Sequence, residues 1–164
     1  MLQAGQTAPD LYLPDADMEM VRLSSFKKRK NLVLYFYSKD DTPGCTAQAL
    51  EFSDLEDKFA NLDTVVLGVS RDDCLSHGSF RDKHGITVRL LSDSESEACK
   101  KYDVLQEKNV NGETKIGILR STFIIDKHGV LQHALYGVSV HNHATEVLRL
   151  IKEATGVSPT HDLS

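Results

Sequence analysis

Long apolar runs are missing from this 164-residue chain. No segment approaches the roughly 20 residues that cross a bilayer as a helix, so no membrane-spanning helix is expected. Cysteine is scarce too: three residues, an odd number at irregular spacing, do not make a secreted disulfide scaffold. The opening MLQAGQTAPD has neither a basic n-region nor an apolar h-region, so no signal peptide is read there and the cytoplasm is the expected compartment. Positive charge is in short supply, with 19 Lys and Arg against 24 Asp and Glu and a net charge of −5. The one basic run, KKRK at 27–30, reads as a solvated turn, and neither a nucleic-acid nor a membrane partner is expected. Also absent are Gly-x-Gly-x-x-Gly, a P-loop, a Ser-His-Asp setting and the Cys-x-x-Cys of a thioredoxin-type disulfide oxidoreductase. Seven histidines are present, but Cys74-x-x-His77 and His141-x-His143 lack the second ligand pair of a structural zinc site. No metal or cofactor is expected.

What is present is an ordinary globular composition, 40% apolar and 26% charged, at a length that suits one domain. DLYLPD and MEMVRL read as a short extended pair. NLVLYFYS and TVVLGVS are nearly unbroken β-rich runs, as in strands buried on both faces, and VRLLSD is a third. Between them lie a helical pattern over 46–61, with Ala49, Phe52, Leu55 and Phe59 in phase, and a polar helix over 74–84 ended by Gly85. The acidic stretches at 70–73 and 92–97 read as helix caps, with Ser94 and Glu97 placed for a capping box. Residues 105–119 read as a loop or loose hairpin. STFIID-KHG-VLQHALYG is the clearest hairpin signal, and an amphipathic helix follows with Ala144, Val147, Leu148 and Ile151 on one face. This order predicts an α/β fold, a three-layer α/β/α sandwich with a mixed central sheet, as one domain over 1–155 with a flexible tail over 156–164.

The chemistry gathers at YFYSKDDTPGCTAQALEF, residues 35–52. Thiol chemistry needs the thiolate, and a thiol with a pKa near 8.5 supplies only a few per cent of it at neutral pH. A helix N-terminus and a fixed cation both lower that value. Cys45 sits after a Thr-Pro-Gly turn, in the first turn of the helix; Pro43 suits a helix start and Gly44 lets backbone approach a ligand. Thr42 adds a hydroxyl to the same pocket.

This segment resembles the active site of peroxiredoxins, whose pattern is Pro-x-x-x-Thr-x-x-Cys, and within them the bacterioferritin-comigratory or Q-type group. The likeness continues through GVSRDDCLSHGSF, LLSDSESEACKKYDV and GILRSTFIID. It implies a thioredoxin-like fold and thiol-dependent reduction of hydrogen peroxide and organic hydroperoxides. It also implies Cys45 as peroxidatic cysteine, oxidised to a sulfenic acid, with Thr42 and Arg120 beside it. Pro43, Gly44 and Gln48 complete the expected peroxide site. Arg120, a permanent cation, can stabilise both the thiolate and the leaving oxygen.

Three departures stand out. Ser38 replaces the family proline, which puts the water-excluding wall in doubt. Gln48 replaces the usual glutamate, leaving the Arg120 charge less compensated. The two usual resolving positions hold Leu50 and Arg81. An external thiol, from thioredoxin, glutaredoxin or a small molecule, is therefore the first expectation, with Cys74 and then Cys99 as alternatives. Cys74 lies two helical turns before Arg81, ~10.5 Å along the axis and on nearly the same face, so it can point toward the active-site side. A monomer is expected, with a dimer as the alternative. A peroxide sensor or holdase, switched by Cys45 oxidation, is the competing function.

Overall fold

The computed structural model describes residues 1–154, so the tail expected over 156–164 lies outside the described residues. The centre is a five-stranded mixed sheet in the order β5-β4-β3-β8-β9. β3 (Asn31–Phe36), β4 (Thr64–Ser70) and β5 (Arg89–Ser92) run parallel; β8 (Ser121–Ile125) pairs antiparallel with β3, and β9 (Leu131–Tyr136) antiparallel with β8. The strands are apolar on both faces because both faces are covered. Along β3 the side chains alternate between two cores. Leu32, Leu34 and Phe36 pack with Leu67, Phe123, Cys99 and Tyr102 on one side; Val33, Tyr35 and Tyr37 pack with Cys45, Phe52, Phe80 and Val147 on the other.

The second face carries α1 (Pro43–Asp54), α2 (Glu56–Ala60), α3 (Cys74–His84) and α5 (His143–Ala154). The first is covered by the short α4 (Glu97–Lys101) and by the antiparallel pair β1 (Tyr12–Pro14) and β2 (Met20–Arg22). This is the thioredoxin-like α/β/α arrangement, with one helical layer thin.

Three local expectations change. The helix read over 46–61 is two helices, broken at Leu55, and its start moves back to Pro43. The capping box at Ser94 does not form: Ser96 sits in a left-handed conformation with φ 58°, and Asp93 takes the amides of Ala98 and Cys99 instead. Residues 105–118 form a regular hairpin, β6 (Leu105–Val110) with β7 (Glu113–Ile118), apart from the main sheet. Asn111 and Gly112 both adopt positive φ, 53° and 79°, which two-residue hairpin turns require. By contrast Asp73 caps α3 at Ser76 N, and Gly85 ends it with φ 68°.

Candidate active site

β3 delivers the chain to a five-residue loop, 37–41, and Thr42 then caps α1 in extended conformation with Pro43 in its first turn. The intrahelical ladder begins with the Thr46 amide on the Thr42 carbonyl at 2.8 Å. The amides of Gly44 and Cys45, in the first turn, have no intrahelical acceptor and face the N-terminal end with its partial positive charge. Gly44 has no left-handed φ, and a Cβ there would stand 3.6 Å from Arg120 Nη2 and 3.7 Å from Val140 Cγ1. A side chain's first carbon would thus meet both at ordinary van der Waals distance, and no turn requires glycine there.

Arg120 arrives from the far end of the chain. The antiparallel register Phe36↔Ser121 sets it beside the end of β3, and the Val138 amide holds its carbonyl at 3.0 Å. Its Nη2 donates to Cys45 Sγ at 3.2 Å and its Nη1 to Gln48 Oε1. Gln48 is buried one turn along α1, and its Nε2 has no hydrogen-bond partner among the described residues.

Cys45 is 1% exposed. Burial alone pushes its thiol up, but hydrogen bonds from the Lys39 amide, the Ser38 and Thr42 hydroxyls and Arg120 outweigh it and hold the thiol below its ordinary value. Ser38 Oγ lies 3.5 Å from the sulfur. Thr42 Oγ1 also stands 2.8 Å from the Lys39 carbonyl, so its single proton serves either the carbonyl or the sulfur. Cys45, Thr42, Pro43, Gly44, Gln48 and Arg120 are thus brought together. The sequence reading missed Ser38 and the Lys39 amide as donors. Ser38 was legible as a hydroxyl replacing an apolar ring; the Lys39 amide carries no side-chain signal at all.

The other two cysteines stand apart, and all three are free. Cys99 is fully buried in the core on the opposite side of the sheet, where burial and then the Asp93 carboxylate push its thiol up. Cys74 opens α3. Ser76, His77, Lys83 and His84 hold Asp40 and Asp41 of the Cys45 loop, whereas Arg81 binds Asp17 and Gly78 approaches the Ala16 carbonyl. Cys74 shares the face of Gly78 and Arg81, about 120° round the helix from the loop-facing side. The face expected to point at the active site meets the β1–β2 turn instead.

The model of the AhpC/TSA family matches residues 4–134. Peroxiredoxin Bcp of Bacillus subtilis is 44% identical over 152 residues, covering 93% of this chain and 96% of that protein. Peroxiredoxin Bcp of Escherichia coli K12 is 39% identical over 152 residues, covering 93% and 97%. The crystal structure of a cysteine-to-serine mutant of Xylella fastidiosa PrxQ superposes with a TM-score of 0.89 at 39% identity, covering 94% and 98% of the two chains. Structures bearing on alkyl peroxide reduction by the Xanthomonas campestris bacterioferritin comigratory protein include one with a TM-score of 0.84 at 37% identity, covering 88% and 92%.

Proposed function

The chain belongs to the AhpC/TSA family as a peroxiredoxin of the Bcp/PrxQ kind, a thiol-dependent peroxidase, and on that premise we propose that Cys45 is its peroxidatic nucleophile. The observation that carries this is the Arg120 guanidinium 3.2 Å from a buried sulfur in the first turn of α1. The thiolate attacks the terminal oxygen of a hydroperoxide. The S–O bond forms, the O–O bond breaks, and the alkoxide or hydroxide leaves to take up a proton. Cysteine is oxidised by two electrons to the sulfenic acid. Arg120, the Thr42 hydroxyl and the amides of Gly44 and Cys45 stabilise the charge moving onto the leaving oxygen. Pro43 and Gly44 shape the mouth, and Gln48 orients the guanidinium.

Recovery is assigned to an external thiol, supplied by thioredoxin, glutaredoxin or a small molecule. One thiol condenses with the sulfenic acid, releasing water and leaving a mixed disulfide, and a second thiol frees Cys45. Two placements support this: Cys99 is across the sheet, and Cys74 lies by helix geometry on the Gly78–Arg81 face of α3, which meets Ala16 and Asp17. Residues 1–155 are taken as one domain, its two cores sharing one sheet, and the working form as a monomer. The cytoplasm is the proposed compartment, since three cysteines at irregular spacing do not make a secreted disulfide scaffold.

Cys45→Ser should abolish peroxide consumption with a reducing partner; full retention would sink the assignment. Intact mass under non-reducing conditions after one equivalent of peroxide should give a sulfenic acid or its thiol adduct. A Cys45–Cys74 crosslink, lost in Cys74→Ser, would overturn external resolution. Repeated turnover separates the enzyme from a sensor or holdase oxidised once.

A further inference from the structure

Behind the sulfur, three buried titratable side chains form a network that the peroxide chemistry above does not use. Tyr37 Oη donates to Asp40 Oδ1 at 2.6 Å, and His77 Nδ1 stands 2.7 Å from Asp40 Oδ2. His77 Nε2 is 2.9 Å from the Leu91 carbonyl. His77 is fully buried, and Ser76 Oγ adds a bond to Oδ2 at 2.8 Å.

The proton count follows from the partners. A carbonyl only accepts, so Nε2 carries a hydrogen; Tyr37 and Ser76 spend their protons on the carboxylate. One further proton must lie between Nδ1 and Oδ2, since otherwise two acceptors would face each other in a buried site. Imidazolium with carboxylate, or imidazole with carboxylic acid, satisfies every partner equally. The contact is directional and built for histidine, more than packing alone would require.

The network brackets the residues that hold the sulfur. Tyr37 and Asp40 flank Ser38 and Lys39, whose hydroxyl and amide are donors to Cys45. We propose that His77, through Asp40, is a positioning residue for the peroxidase reaction, locking the Ser38–Lys39 tip in donating range of the Cys45 sulfur. This rests on Cys45 being the nucleophile. The Asp40 amide is also held by Asp72 Oδ2 at 2.9 Å, so losing the His77 contact loosens the loop rather than freeing it, and a hydrogen bond to an ionised sulfur weakens steeply with distance and angle.

Two substitutions at His77 separate positioning from simple support. His77→Asn puts an amide nitrogen near the place of Nδ1, keeping the donor to Asp40 and abandoning Leu91. His77→Gln reaches the place of Nε2, keeping Leu91 and abandoning Asp40. Both remove one buried bond, so a merely structural histidine would respond alike to both. The readouts are the ultraviolet titration of the Cys45 thiolate, with Cys45→Ser subtracted, and the single-turnover rate of peroxide consumption. His77→Asn should titrate and react close to wild type. His77→Gln should titrate at higher pH and react about tenfold more slowly at neutral pH, as befits loss of a hydrogen bond to a charged group. Tyr37→Phe removes a second anchor of the Asp40 carboxylate with the ring retained and should move both readouts the same way by less, which covers failure of the glutamine variant to fold. Equal behaviour of the Asn and Gln variants, or wild-type titration in Tyr37→Phe, would overturn the proposal. Neither result touches the nucleophile, which Cys45→Ser tests separately.

Discussion

The two acceptors on Arg120 make Gln48 a sensitive place to perturb the thiolate. Nη1 serves Gln48 and Nη2 serves Cys45, so a charge placed on residue 48 acts on the sulfur through one shared cation. Gln48→Glu keeps the shape and the bond to Nη1. The oxygen that replaces Nε2 breaks no hydrogen bond among the described residues, where Nε2 has no partner. The new carboxylate would stand about 5–6 Å from the sulfur across the guanidinium. At an effective dielectric of about 20, two negative charges at that separation repel by ~3 kcal/mol, or about two pKa units. Relaxation and solvent reduce this, and a rise of about one to two units in the Cys45 thiol is expected. The thiolate titration would read the shift directly. The rate constant for peroxide at neutral pH should fall by up to about tenfold as the thiolate fraction drops. Gln48→Met supplies the opposite sign: it removes the carbonyl dipole that partly compensates Arg120, so the thiol should stay or move down. A Gln48→Glu protein whose Cys45 thiol is unchanged or lower would refute the reasoning, because the guanidinium would then not be the shared element.

Other outcomes test the remaining parts. Arg120→Met removes the donor at 3.2 Å and should slow peroxide attack by about a hundredfold in stopped flow, with the Cys45 titration moved up. Because Cys45 is held below its ordinary value when folded, its thiolate contributes stability above the unfolded thiol's pKa near 8.5, and that contribution is lost as pH falls through the folded value. Denaturant titrations of wild type against Cys45→Ser should therefore show a difference that grows with pH from the folded value up to about 8.5 and then levels. Gly68→Ala would place a Cβ 2.7 Å from Tyr35 Cζ, inside a ring stacked on Phe52, and should destabilise by about 1–3 kcal/mol in urea unfolding. Asp93→Ala strips the acceptor from the Ala98 and Cys99 amides and should cost about 1–3 kcal/mol by the same measurement.

Much of the fold was legible because its signals are local. Nearly unbroken apolar runs marked β3 and β4, the hairpin signal around KHG marked β8 and β9, the phase of Ala144, Val147, Leu148 and Ile151 marked α5, and Asp73 and Gly85 marked the ends of α3. The readings left open or overturned were local as well. The Asn-Gly pair at 111–112 is a strong hairpin turn, yet the polar strands around it face solvent and show no buried alternation. Asp93 displaced Ser94 as the cap because a buried carboxylate can take two amides at once, where a hydroxyl takes one.

By itself the sequence determined that a cysteine would sit at a helix N-terminus after a buried strand, since Thr-Pro-Gly and the apolar run before it fix that turn through residues adjacent in the chain. Tertiary structure decided what surrounds the sulfur. Arg120 reaches it only because β8 pairs with β3, and the Lys39 amide and Ser38 hydroxyl donate only because the loop is bent and tied at Asp40 to His77. It also put the Gly78–Arg81 face of α3 against the β1–β2 turn and set Cys99 across the sheet. Those relations depend on how helices rotate against a sheet, and side-chain packing settles that rotation where sequence spacing does not.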